Sequence, residues 1–335
     1  KVQVQARVGV AEVTMGQWEI RRSSLRDRDA LVELCNAAAG SDDYVLEMLD
    51  DLILHGVMSV ALDGDRIVGA MHYTETIDGS AWLRGARTHP AYRKRHVATE
   101  LIESLGELAR RSNRHALRLW SSASNTAGIA AATACEFREV ARFTRMVAKA
   151  SRPRSRPEPL PYSPALAAEV EGSRLLRLTN GYVSYNSSFV DLTQANTHLM
   201  ANARALYEVG QGTVCLSTPA GDILDFGLVA GDPARMLAAL PGTAAAFDAE
   251  AGAGFLPHDQ RVIRAAEKAG FKLGSWGEDA ILFEKPIPVG PSSYRRRPTY
   301  AEIAAGKREG YAALALLAGH REHGHTGPHE DRWNP

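Results

Sequence analysis

Apolar positions along the first half of the chain switch repeatedly between the alternation of strands and the three-to-four residue spacing of helices. Residues 18–21 alternate, predicting a short strand. Leu31, Leu34 and Ala38 then recur at helical spacing behind Asp27 and Asp29, predicting a helix over 30–39, and a second helix is predicted over 43–55. Two apolar runs, 57–62 and 67–73, flank Asp63-Gly64-Asp65, a tight-hairpin signal, and residues 80–88 follow Asp78-Gly79 as a third strand. Val97, Leu101, Ile102, Leu105 and Leu108 mark one face of a long helix; residues 116–120 return as a strand, and Asn125 precedes a short helix over 126–134. An antiparallel meander followed by a right-handed βαβ crossover is the architecture this order implies.

Periodicity stops after Ala150. The stretch 151–164 has five prolines in 14 residues and reads as a semi-extended linker over 150–164 that closes a first domain of residues 1–149. Residues 165–288 then repeat the first half in outline: a helix over 261–268, Ala269-Gly270-Phe271 and a strand over 280–284 mirror residues 127–146. The remaining 289–335 form a C-terminal extension, with Arg295-Arg296-Arg297, a possible helix over 300–317 that docks on either lobe or on a second subunit of a homodimer, and His320, His323, His325 and His329. Those histidines have no cysteine or well-placed carboxylate to complete a tetrahedral metal site, so no metal is expected.

Composition narrows the function classes. With 39 basic and 39 acidic residues among 335, the chain has no charge bias of the kind that coats nucleic acid or anionic membranes. Only the arginine cluster at 295–297 leaves an anionic partner such as RNA open. Three well-separated cysteines, Cys35, Cys135 and Cys215, suggest neither a disulfide framework nor a thiolate metal site and fit a reducing, cytoplasmic setting. No apolar stretch approaches the length of a membrane helix, and no signal pattern opens the chain.

Chemistry concentrates between residues 81 and 137. Pro90 ends the strand, and Arg93-Lys94-Arg95 fill the following turn where the helix dipole is also positive, so backbone amides and cations converge on a site suited to a pyrophosphate. In its order of elements this region resembles the GCN5-related N-acetyltransferase (GNAT) family, whose pattern Arg/Gln-x-x-Gly-x-Gly/Ala precedes a long helix. Arg93, His96 and Ala98 occupy the patterned positions, with His96 replacing the central glycine; Asn125, the helix over 126–134 and Glu136-Phe137 reproduce the downstream layout. The similarity spans residues 18–146.

The resemblance implies an α/β (α+β) fold of two tandem GNAT-like lobes, each a mixed, mainly antiparallel sheet flanked by helices. It implies an acetyl-CoA-dependent N-acetyltransferase acting on the amine of a small molecule. Ala86, Arg87 and Thr88 of the splayed strand would bond the pantetheine arm; Arg93, Lys94, Arg95, His96, Val97, Ala98 and Thr99 would hold the pyrophosphate, and Asn125 the coenzyme's distal arm. The phenol that many members carry on the short helix is replaced by Ala132, and a carboxylate at the start of the splayed strand by Trp82. His72, Tyr73 and Glu75 on the neighbouring strand are the remaining candidates for acid or base. The second half has no basic turn: Gly231-Asp232-Pro233 stands there, and Asp259 at the Asn125 position, so that lobe is degenerate. Asp42-Asp43-Tyr44 and Leu83-Arg84-Gly85 are weakly similar to histidine N-acetyltransferase-like proteins. That similarity implies a small amine, amino acids included, with Tyr44 at the substrate and Arg84 or Arg87 facing its carboxylate. A binding module that keeps the fold without catalysis is the alternative.

Overall fold

A computed structural model describes residues 17–153, 155–217, 222–274 and 279–288. The meander is β1 (Glu19–Arg22), β2 (Val57–Asp63), β3 (Arg66–Glu75) and β4 (Ala81–Thr88), each antiparallel to the next. Between β1 and β2 run α1 (Arg28–Ala39), α2 (Tyr44–Glu47) and α3 (Leu49–Leu54). The single helix expected over 43–55 is two pieces, because Met48, at φ −118° and ψ 15°, leaves helical geometry. α4 (Val97–Arg111) crosses to β5 (Ala116–Ser122), which lies parallel to β4, and α5 (Thr126–Ala134) leads to β6 (Arg138–Lys149). Helices cover both faces. Leu101, Ile102 and Leu105 of α4 pack on Ala61, Val68 and Leu83, while Leu31, Leu49 and Leu52 pack behind Met58 and Val60 on the other side. Gly69 allows α4 its close approach, since a Cβ there would lie 2.3 Å from Val97 Cγ1.

The proline-rich segment runs along the second half, with Leu160 N donating to Leu206 O (2.7 Å) and Arg156 4.2 Å above the Phe247 ring. There follow α6 (Pro164–Glu171), α7 (Arg174–Leu178), the hairpin β7 (Tyr182–Tyr185) and β8 (Ser188–Asp191), and α8 (Thr197–Asn202). Next come β9 (Leu206–Glu208), β10 (Thr213–Leu216), β11 (Ile223–Ala230), α9 (Pro233–Ala246), β12 (Ala251–Pro257), α10 (Gln260–Lys268), β13 (Lys272–Leu273) and β14 (Asp279–Pro286). The Arg295–Arg297 cluster, the helix expected over 300–317 and the histidine-rich end lie outside the described residues.

The linker does not separate two sheets. Strand order is β1-β2-β3-β4-β5-β14-β6-β12-β11-β10-β9, so β14 from the second half inserts between β5 and β6, and β6 from the first half pairs with β12. Each half completes the other. Because strand side chains alternate, β14 sends Ile281 and Phe283 into the α4–α5 core and Ala280 and Leu282 into an aromatic cluster with Trp82, Phe143, Phe189 and Phe255. Each such buried large side chain is worth about 1.5–3 kcal/mol.

Charge fixes the insertion. The Arg118 guanidinium, 1% exposed, donates from Nε to Glu284 of β14 (2.6 Å) and from Nη1 to Ser80 Oγ (2.9 Å) and to Asp78. Tyr182 of β7 donates to Glu284 (2.8 Å), and the Asp191 amide of β8 donates to Asp78 (2.8 Å). Burial pushes the Asp78 carboxyl up, but the Arg118 charge and the hydrogen bonds from Thr76, Arg118 and the Asp191 amide outweigh it and hold the group at about 2. Asp78 therefore contributes stability that is complete above its ordinary value of 3.8 and is lost as the pH falls through about 2. Replacing Arg118 by Leu strands two carboxylates; urea denaturation at neutral pH should register a loss of about 3–5 kcal/mol, with the stability difference from wild type shrinking below pH 4.

Candidate acetyltransfer site

β4 carries the site because it leaves its neighbour. It pairs with β5 only at Ala81↔Leu117 and Trp82↔Arg118; beyond that no ladder pair joins the two strands among the described residues. A bulge drives the separation: Ala70 faces Arg87 and His72 faces Arg84, so Gly85 and Ala86 together oppose Met71. Gly85 sits at φ 63°, a conformation that costs glycine nothing, and Ala86 is exposed. From Leu83 to Thr88 the edge of β4 that faces β5 thus has no ladder partner among the described residues.

The strand leads to the turn before α4. Lys94 (φ 62°) and His96 (φ 61°) both adopt left-handed conformations, and His96 is the helix N-cap without a side-chain capping bond. Substituting the patterned glycine has therefore kept the glycine-like backbone. The first helical bond runs from Glu100 N to His96 O (3.0 Å), leaving the Val97, Ala98 and Thr99 amides ahead of the ladder at the positive end of a 15-residue helix. Arg93, Lys94, Arg95 and His96 are exposed around it. Arg93 donates to Ala38 O (2.9 Å); Arg95 lies over the rings of Trp18 (4.9 Å) and Tyr92 (5.0 Å), and its carbonyl accepts from Trp18 Nε1 (3.0 Å). Asn125 caps α5 through Oδ1 to Gly128 N (3.0 Å).

The three acid–base candidates are not brought together. Tyr73 and Glu75 share one face of β3 and His72 the other. Tyr73 is buried under α4 with its phenol pushed up by burial, and its hydroxyl lies 3.5 Å from Glu75 Oε1. Glu75 pairs with Arg114 (3.4 Å) near the C-terminal end of α4, at the opposite end from the cationic turn. His72 is fully buried; Nε2 donates to the His55 carbonyl (2.6 Å) and Nδ1 accepts from Arg84 Nε (3.4 Å). Burial drops its pKa to about 4, so the ring is neutral at physiological pH. Ala132 is buried in the α4–α5 core, and α5 offers no phenol.

On the face opposite α4, Arg84 and Arg87 flank the bulge. Arg87 is committed: it forms a two-pronged pair with the buried Asp43 carboxylate (Nε to Oδ2 2.6 Å), which also caps α2 through Val45 N (3.0 Å). Its guanidinium lies 5.2 Å from the Tyr44 ring, and so Tyr44, 40% exposed, is held over β4. The local sequence signal for this clamp is the N-cap chemistry of Asp43 at the head of α2. Burial next to Asp43 also pushes the Cys35 thiol up to about 11.

The second lobe builds the same parts and closes them. β11 and β12 pair in parallel only as far as Phe226↔Gly254, but β7 fills the gap: Ser184 Oγ donates to Phe226 O (3.1 Å), and Val183 Cγ2 lies 2.4 Å from where a Gly227 Cβ would stand. At the head of α9, Asp232 caps Ala234 N (2.8 Å) and Arg235 N (3.4 Å) with its own carboxylate. An internal anion occupies the position a phosphate would need. Among the described residues no group of three or more His, Cys, Asp or Glu side chains could hold a metal, and no helix is long and apolar enough to cross a membrane.

Residues 27–137 match the family model Acetyltransferase (GNAT) family. This part of the chain is a GNAT domain. Solved structures similar to the whole GNAT arrangement include a protein from Thermoplasma acidophilum assigned as an acetyltransferase, at 15% identity and TM-score 0.54, covering 80% of this chain and 99% of that one. A GCN5-related N-acetyltransferase from Sphaerobacter thermophilus aligns at 16% identity and TM-score 0.50, covering 82% and 96%. At these identities the likeness is one of fold. No curated protein matches the chain.

The GNAT turn yields a prediction. His96→Gly relieves a left-handed side-chain-bearing residue, so calorimetry should show a variant no less stable than wild type, with a gain of about 1 kcal/mol or less, and coenzyme A binding undiminished.

Proposed function

We propose that the chain is an acetyl-CoA-dependent N-acetyltransferase acting on the amine of a small molecule, amino acids included. In this reading residues 1–149 are the working lobe, 150–164 the linker, and 165–288 a non-catalytic lobe that covers the acceptor face, in a reducing cytoplasmic setting. The observation that carries it is the contrast between the lobes. Only the first combines an unpaired, bulged strand edge with a helix N-terminus that no side chain caps.

The first-lobe groups suit direct transfer. The Val97, Ala98 and Thr99 amides and the surrounding cations would neutralise the pyrophosphate, and Ala86, Arg87 and Thr88 would receive the pantetheine amides along β4. With the thioester at the bulge, an amine that has lost its proton to solvent attacks the acetyl carbonyl; the C–N bond forms and the C–S bond breaks. A β4 amide stabilises the oxyanion, and the departing thiolate takes up a proton. Alignment of the two reactants alone supplies a large part of such an acceleration. His72 holds both ring nitrogens in hydrogen bonds and Glu75 is ion-paired, which favours proton exchange with solvent over a dedicated side-chain base.

The same engagement of His72, Tyr73 and Glu75 favours a second reading, a coenzyme-binding module without turnover. Titration calorimetry with acetyl-CoA should return one site per chain; two sites would contradict the assignment of the lobes, and none would remove the coenzyme reading. Thiol release over a panel of small amines separates enzyme from module, since the enzyme releases coenzyme A with at least one amine and the module with none.

A further inference from the structure

Arg84 is a cation held in an expensive place. Its guanidinium is mostly buried, desolvation lowers its pKa, and no carboxylate among the described residues lies within ion-pair distance. Asp51 and Tyr44 favour its charged form through space. Each other strongly buried arginine of the first lobe has an acid: Arg118 has Asp78 and Glu284, and Arg87 has Asp43. A desolvated guanidinium without an anion is unfavourable unless a ligand supplies one.

The protein spends structure on aiming it. His72, directly opposite Arg84 in the β3–β4 register, accepts a hydrogen bond from Arg84 Nε on Nδ1 and is itself held by the His55 carbonyl through Nε2. Being neutral, the imidazole can accept from Nε without repelling the guanidinium further. Gly56 makes room for this chain, because a Cβ there would lie 2.8 Å from His72 Nε2 and 2.5 Å from Tyr73 O. With Nε occupied, the two terminal nitrogens remain as the fork that suits a carboxylate. Two residues back on the same face, the Trp82 indole N–H is buried and has no acceptor among the described residues. Arg84 itself adjoins the bulge at Gly85-Ala86.

Resting on the acetyltransferase reading, we propose that Arg84, aimed by His72, binds a carboxylate of the acceptor, so that the amine acetylated belongs to an amino acid and not to a plain amine. Arg84 is then a specificity residue and His72 a positioning residue.

The test compares each common α-amino acid with the amine left by its decarboxylation, using full-length protein and acetyl-CoA. Wild type should favour the best amino acid over its decarboxylated partner in kcat/KM by about 100-fold, the range measured when one member of a desolvated charge pair is removed. Arg84→Gln should erase that preference by raising the amino acid's KM far more than the KM for acetyl-CoA or for the plain amine. Arg84→Lys should keep part of the preference. His72→Phe should lower it about tenfold and His72→Asn, which keeps an acceptor near the Nδ1 position, should restore most of it; a merely structural His72 would change both substrates alike. Wild-type preference for decarboxylated amines overturns the proposal, as does an equal loss for both substrates in Arg84→Gln. Preference for succinyl-CoA over acetyl-CoA that disappears in Arg84→Gln also overturns it, by placing the carboxylate on the donor. Failure of wild type to bind acetyl-CoA removes the acetyltransferase reading itself, and this proposal with it.

Discussion

The molecule depends on a strand that each half lends the other. β14 fills the gap between β5 and β6, and Arg118 ties it to the β3–β4 turn and the β7–β8 hairpin through Asp78, Glu284 and Tyr182. Without β14, β5 would lose its antiparallel neighbour just where it must diverge from β4. The splay that opens the candidate site is therefore held from one side by the bulge at Gly85-Ala86 and from the other by residues more than 150 positions later in the chain (Arg118 to Glu284, 166 apart). A buried charge network of this kind adds little net stability over an apolar one, but it penalises any arrangement that leaves Arg118 unpaired, and so specifies how the halves combine.

Much of the first lobe was legible because its signals are local. Asp63-Gly64-Asp65 marks the β2–β3 turn, the 97–108 stripe marks α4, and the cations at 93–95 mark the turn that leads into it. Met48 breaks a helix that periodicity reads as continuous. The exchange of β6 and β14 was not legible, since strand patterning specifies which face is buried but not which neighbour is hydrogen-bonded. The proline-rich stretch read as a linker over 150–164 is no division in the sheet, which runs on through strands from both halves. The acid–base candidates illustrate the same limit: His72, Tyr73 and Glu75 are consecutive or nearly so, and alternation alone puts them on opposite faces. Which of them is already bonded, to His55 and Arg84 or to Arg114, depends on contacts up to 39 residues away (Glu75 to Arg114).

The two lobes differ at few residues around the candidate site. Both have a parallel strand pair that separates, and both place a helix at its end. In the first, His96 keeps a left-handed backbone and leaves the helix amides uncapped; in the second, Asp232 satisfies them with a carboxylate and β7 fills the cleft. One aspartate and one hairpin thus separate the second lobe from the first at this position.

Amide hydrogen exchange with and without coenzyme A tests that division most directly. Protection confined to peptides spanning residues 83–88 and 96–100 is the result predicted. Protection of residues 227–236 instead, or equally in both lobes, would contradict it.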